Sequence, residues 1–187
     1  MARPITILVE GDSDKAAVEA LAVRYGIELS ADEDAIAAGA TEVVSMGGAG
    51  NAGRFIAEKA AAGRRVGGLY DEAEERFFAR ALNRQEGEDL TRQGFFACRR
   101  DLEDELVRAL GVTEVTALLE QRNDLGGFRS FQNQDAHSGD DPMEQLRRFI
   151  SANGARKRTY AGAMAEVVAM EALPEPLEGL IHWIWSA

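Results

Sequence analysis

With 187 residues, 45% of them hydrophobic, the chain is long enough to bury a sizeable core, and no Pro/Ser-rich linker divides it, so a single domain over 1–187 is expected. No apolar run approaches the roughly 20 residues that a membrane span needs, and the N-terminus lacks a basic region followed by an apolar stretch and a cleavage site, so a cytoplasmic protein without membrane contact is expected. The net charge of −11 argues against nonspecific nucleic-acid binding through an all-round basic footprint.

The first predicted element is a strand over residues 5–9, Ile-Thr-Ile-Leu-Val, whose continuous apolar character fits burial on both faces. It runs into Glu10, Gly11, Asp12 and Ser13, which supply a turn and N-cap chemistry for a helix over 15–25. The acidic stretch 30–34 reads as a solvated loop. A second strand over 41–46 leads into Gly48, Gly50 and Gly53, spaced G-x-G-x-x-G. A third, over 66–70, ends in Asp71, with Glu72, Glu74 and Glu75 on the helical segment behind it. A fourth spans 94–98 and contains the lone Cys98, read as an inert core thiol in a reducing compartment.

Strands alternating with helical segments predict an α/β fold with a parallel sheet flanked by helices over residues 1–100. Beyond Arg100 the apolar spacing of three and four predicts helices over 102–110, 114–122, 143–152 and 160–173, a helical portion (101–187) packed on that core. Between them, 123–141 is rich in Asn, Gly, Asp and Ser and reads as a long loop. His137 in that loop reads as exposed and His182, beside Trp183, as packed; the tail 177–185 reads as a terminal helix docked on the core.

Glu10 and Asp71 each extend a buried strand at its carboxyl end, the edge of an open α/β sheet where ligands bind. A charge there is disfavoured unless it reaches water, a metal or a partner. If the two strand tips converge, the clustered carboxylates need a proton or a divalent cation to neutralise them. With hard oxygen donors and only two histidines and one cysteine, Mg²⁺ is the economical ion. The segment 142–160 concentrates Arg147, Arg148, Arg156, Lys157 and Arg158 against only Glu144, a local basic cluster in an acidic chain.

Three motifs, in order, resemble the Toprim domain in its OLD (overcoming lysogenization defect) nuclease version: Glu10-Gly11-x-x-Asp14, Gly68-Leu69-Tyr70-Asp71-x-x-Glu74, and Asp101-Leu102-Glu103-Asp104-Glu105-Leu106. The resemblance covers roughly residues 5–173 and implies a Toprim/Rossmann-like fold. It also implies a Mg²⁺- or Mn²⁺-dependent endonuclease whose metal ligands are Glu10, Asp14, Asp71, Glu74 and Glu103, with Glu10 as an alternative general base. Many Toprim domains carry Asp-x-Asp at the second motif; here it is Asp71-Glu72-Ala73-Glu74, so the partner acid is Glu74 or Glu72. OLD-type nucleases also place a lysine ahead of their final helices, a position that Lys157 matches. Their Toprim domain is normally joined to an ATPase, so the resemblance implies a freestanding domain acting on nucleic acid, DNA foremost, with a separately encoded ATPase or alone.

Two other readings compete. A Toprim fold without catalysis would serve as a nucleic-acid or protein binding module, favoured by the missing Asp-x-Asp and the acidic charge. A dinucleotide-binding protein would use Gly48 to Gly53, with Asp71 about twenty residues on, as that fingerprint requires. A Walker A motif fails, because Arg54-Phe55 replaces the required Lys and Ser/Thr.

Overall fold

The computed structural model describes residues 3–137 and 139–186. Its four strands, β1 (Ile5–Val9), β2 (Thr41–Ser45), β3 (Arg65–Asp71) and β4 (Phe95–Cys98), form one parallel sheet in the order β2-β1-β3-β4. Parallel neighbours require crossovers. These are α1 (Asp12–Arg24) with α2 (Glu33–Ala37), then α3 (Ala52–Ala61), then α4 (Glu75–Ala81). All five residues of β1 are buried, as a central strand demands. Its one polar side chain, Thr6, donates its hydroxyl to Glu42 Oε2 at 2.9 Å. Glu42 also receives Lys59 Nζ at 3.0 Å and the buried Arg64 guanidinium, which in turn reaches Glu33. The expected loop 30–34 therefore becomes the capped start of α2, with the Asp32 carboxylate accepting from the N–H groups of Asp34 and Ala35.

Two glycines set how closely the sheet packs. A Cβ at Gly68 would lie 2.0 Å from Leu8 O on the neighbouring strand, and one at Gly94 would lie 2.3 Å from the Trp183 ring. Gly94 also has φ 86°, a conformation open to glycine and strained for other residues.

After β4 come α5 (Leu102–Gln121), α6 (Leu125–Gln132), α7 (Pro142–Ser151), α8 (Gly154–Val167) and α9 (Glu175–Trp185). The two helices expected over 102–122 run on as α5, broken at Gly111 by non-helical angles (φ 75°, ψ 171°). Within the expected loop 123–141, α6 forms because Leu125, Phe128 and Phe131 recur on one face, and both phenylalanine rings pack on Phe149 of α7. The helix expected from Tyr160 begins six residues earlier, where Asn153 caps it by accepting from Arg156 N–H, and it stops at Val167.

The main core joins β1, α1, α5, α7, α8 and α9 through residues such as Ile7, Leu21, Leu106, Phe149, Met164 and Ile181. A second cluster, with Leu8, Met46, Phe78 and Phe95, lies under α3 and α4. Helices α1 and α8 pack along each other, and Arg24 Nη1 ties their far ends by donating to Ala165 O and Val168 O, both at 2.8 Å. The tail helix docks as expected, with Arg65 over the Trp183 ring. The histidines exchange their expected environments. His137 stacks on Phe131 at 3.8 Å, whereas His182 is exposed.

Candidate metal and phosphate cleft

The carboxyl ends of the strands open into a cleft of about 380 Å³. Glu10, Asp14, Asp71 and Lys157 line it, together with Ser45, Gly47 and Gly48 at the end of β2. Glu10 leaves β1 directly into this space, and its Oε1 accepts from the backbone N–H of Asp71 at 2.9 Å. Asp14 sits in the first turn of α1, where its Oδ2 accepts from Gly11 N–H at 2.9 Å. That is helix-capping geometry, and it leaves the second oxygen of Asp14 uncommitted.

Burial and mutual repulsion raise the proton affinity of these acids. Asp71 is pushed up to about 8, first by burial and then by Glu10, Asp14 and Asp101. Glu10 is raised by burial, opposed by the Asp71 N–H and reinforced by Glu74. Asp14 is raised by burial, opposed by its Gly11 bond and by Lys157. Like charges gathered at one strand edge and withdrawn from water are the arrangement that calls for a proton or a cation.

Two of the candidate ligands stand outside the cleft wall. Glu74 ends the short 3₁₀ turn Glu72–Glu74, close enough to act on Glu10 but not part of the lining; Glu72 is exposed. Glu103 is fully buried behind Lys157, with its Oε2 3.0 Å from Lys157 Nζ. That contact is an ion pair without hydrogen-bond geometry, since neither Glu103 oxygen has a hydrogen-bond partner among the described residues. Burial raises the Glu103 carboxyl, with Lys157 opposing. Burial alone would lower Lys157, but Glu103 and Asp14 outweigh it and raise the ammonium. Lys157 lies in the first turn of α8 and not ahead of the helix, which fixes its stem on a rigid element. Among the described residues, no three His, Cys, Asp or Glu side chains are placed together so as to hold a metal ion.

Asp101 was not among the expected ligands, yet it belongs to the neighbourhood. It caps α5 by accepting from Asp104 N–H at 2.7 Å, and its charge acts on Asp71, Asp14 and Glu103. The reasoning that selects Glu10 and Asp71, an acid directly extending a buried strand, misses it because Arg99 and Arg100 separate it from the end of β4. Arg100 just before it holds φ 71°, uncommon for a non-glycine residue.

The basic cluster is largely neutralised, by Glu144 within its own segment and by acids outside it. Glu144 receives Arg100, Arg147 and Arg148, which hold its carboxyl well below the usual range. Arg147 also reaches Asp101, and Arg148 reaches Asp140. Arg156 lies over the Phe149 ring and donates to Phe149 O at 3.1 Å. Among the described residues, Arg158 is the cluster member with no ion pair. The glycine-rich turn forms one lip of the cleft, but β1 stands between β2 and β3. Asp71 is therefore not on the strand next to the glycine turn, as the dinucleotide fingerprint places its acid.

No protein-family model matches the chain, and no curated protein matches it. Solved structures do. The C-terminal region of the Burkholderia pseudomallei OLD protein superposes with a TM-score of 0.66 at 17% identity, covering 100% of this chain and 98% of that one. The C-terminal region of the Xanthomonas campestris pv. campestris OLD protein gives a TM-score of 0.66 at 20% identity, covering 98% and 95%. At such identities it is the fold that is shared. The parallel sheet, its flanking helices and the strand-end acids thus lie in a chain that has the fold of the OLD C-terminal region, the Toprim arrangement its motifs resemble.

Proposed function

We propose that this chain is a divalent-metal-dependent nuclease that hydrolyses phosphodiester bonds of nucleic acid, DNA foremost. The observation that carries this reading is the shared cleft, lined by Glu10, Asp14 and Asp71 from two strand ends and a helix start and by Lys157 from α8.

The donor set suits a hard cation, being carboxylate oxygens throughout, with a free oxygen on both Glu10 and Asp14. Glu10, Asp14 and Asp71 would hold Mg²⁺ or Mn²⁺, Glu74 joining through water, after small side-chain movements that bring them together. A bound ion would supply positive charge to the attacking and leaving oxygens of an in-line displacement. Lys157 would hold the scissile phosphate, and its pairing with Glu103 keeps it charged and pointed at the cleft. Removing one such cationic or hydrogen-bonding contact commonly costs about 3 kcal/mol of transition-state stabilisation. Asp71 retains a proton near neutral pH in the metal-free cleft, and cation binding would release it. An ATPase is a partner consistent with this reading, on the strength of the resemblance alone. No described helix is long and apolar enough to cross a membrane.

A second reading, a nucleic-acid or protein binding module without catalysis, draws on the lack of a ready three-ligand metal group among the described residues and on the charge of −11. Incubating supercoiled plasmid with Mn²⁺, Mg²⁺ or EDTA separates the two. Metal-dependent nicking that Asp71→Asn abolishes supports the nuclease; binding without nicking in either metal supports the module.

A further inference from the structure

Helices α3 and α4 start beside the cleft without lining it. Helix α3 follows the cleft-lining Gly48 through the 3₁₀ turn Ala49–Asn51, and α4 follows the cleft-lining Asp71 through the 3₁₀ turn Glu72–Glu74. The two helices pack on each other, and α4 also packs on the turn Ala49–Asn51. Each helix presents the same device near its start. On α3 the exposed Arg54 guanidinium lies over the half-buried Phe55 ring, 4.2 Å from its centroid. On α4 the exposed Arg76 lies over half-buried Phe77 at 4.8 Å.

Neither arginine makes an ion pair among the described residues, unlike Arg64, Arg100, Arg108, Arg147 and Arg148. The nearest acids in sequence do not cancel them. Glu75 accepts from Gly87 N–H at 2.6 Å, the charge of Glu74 acts on Glu10, and neither Glu58 nor Glu72 makes an ion pair with either arginine among the described residues. An arginine backed by an aromatic ring keeps one guanidinium face for a nucleobase and its edge for a phosphate. Two such pairs on helices that start beside the cleft match the charge and the flat faces of an unpaired strand.

We propose that Arg54-Phe55 and Arg76-Phe77 form a grip for an unpaired nucleic-acid segment flanking the phosphate in the cleft. This rests on the nuclease reading for its substrate class, but its test does not require cleavage. Binding of a short fluorescein-labelled single-stranded oligodeoxynucleotide, and of the same sequence as a duplex, is measured by anisotropy in EDTA. The wild-type chain should prefer the single strand. Arg54→Ala/Arg76→Ala should weaken that binding by about tenfold and flatten the log K against log salt slope by about 1.4, two contacts at roughly 0.7 each. Phe55→Leu/Phe77→Leu should weaken single-strand binding with the slope unchanged, its fold checked by thermal melting. Arg129→Ala, on α6 against α5 and α7, should change neither. The inference is overturned if the double arginine variant binds like wild type, if Arg129→Ala costs as much, or if wild type binds no strand in EDTA. Plasmid nicking is scored in parallel. Nicking without a role for the grip contradicts this inference alone, and grip-dependent binding without nicking contradicts the nuclease reading alone.

Discussion

Glu10 Oε1 accepts the backbone N–H of Asp71 at 2.9 Å, so the acids that end two neighbouring parallel strands are held to each other by a direct bond. The bond satisfies a strand-end N–H and lowers the proton affinity of Glu10 while leaving Asp71 to absorb the repulsion. Glu10 is thereby the fixed member of the pair and Asp71 the protonated one.

That asymmetry predicts a pH dependence. In the folded chain Asp71 keeps its proton up to about pH 8, whereas in the unfolded chain it loses it near about pH 4. The folded state thus binds more protons between those values, and stability falls as pH rises through the window. Glu10, Asp14 and Glu103 are raised as well and act with the same sign. Melting in EDTA should therefore show a midpoint that declines from pH 5 to pH 8, and Asp71→Asn should flatten the decline and raise the midpoint near neutrality. An unchanged slope in the variant contradicts the protonated-Asp71 assignment.

Lys157→Ala should reduce stability as well as activity. From sequence, Lys157 matches the reaction-assisting lysine of OLD-type nucleases, and its removal is expected to leave melting unchanged. The structure instead pairs it with the fully buried Glu103 carboxylate. Leaving that carboxyl unpaired should cost about 1–3 kcal/mol at neutral pH, part of it recovered as Glu103 takes up a proton. Lys157→Ala/Glu103→Gln should recover most of the loss, measured by chemical denaturation. A single variant as stable as wild type would show that the pair carries no weight.

Arg156→Ala and Arg158→Ala should part company, although in sequence they look alike. Arg156 spans Phe149 O and the Phe149 ring, so its loss should lower stability by about 1 kcal/mol. Arg158 is exposed with no ion pair among the described residues, so its loss should leave melting unchanged and alter only the salt dependence of nucleic-acid binding. Equal effects on melting contradict this division.

Gly68→Ala tests the sheet itself. The added methyl would meet Leu8 O at 2.0 Å on the strand that carries Glu10. Backbone cannot yield as a side chain does, so a loss above about 3 kcal/mol is expected by denaturant titration. Retained stability would mean that β1 and β3 are not packed as described.

The elements most legible in sequence are those whose own residues settle them. β1 is a continuous apolar run, and Glu10 and Asp71 stand out because a charge there interrupts a buried strand. The start of α8 escapes such reading because Gly154 to Thr159 has no apolar periodicity; only the Asn153 cap announces it. Helix α6 is masked by Gly126 and Gly127, and its evidence is the tertiary packing of Phe128 and Phe131 on Phe149. The basic cluster looks freer in sequence than it is, because besides the local Glu144 its acids Asp101, Asp124 and Asp140 lie outside the segment 142–160. For the same reason Glu103 reads as a helix-start acid, when burial and Lys157 define its setting.

The central claim is that the strand-end acids form a cation site. Diffraction from crystals soaked in Mn²⁺, collected for anomalous scattering, tests it most directly. The account predicts a manganese peak in the cleft bounded by the carboxylates of Glu10, Asp14 and Asp71, lost in Asp71→Asn crystals. A cleft without anomalous density at saturating Mn²⁺, or a peak that persists unchanged in that variant, would contradict it.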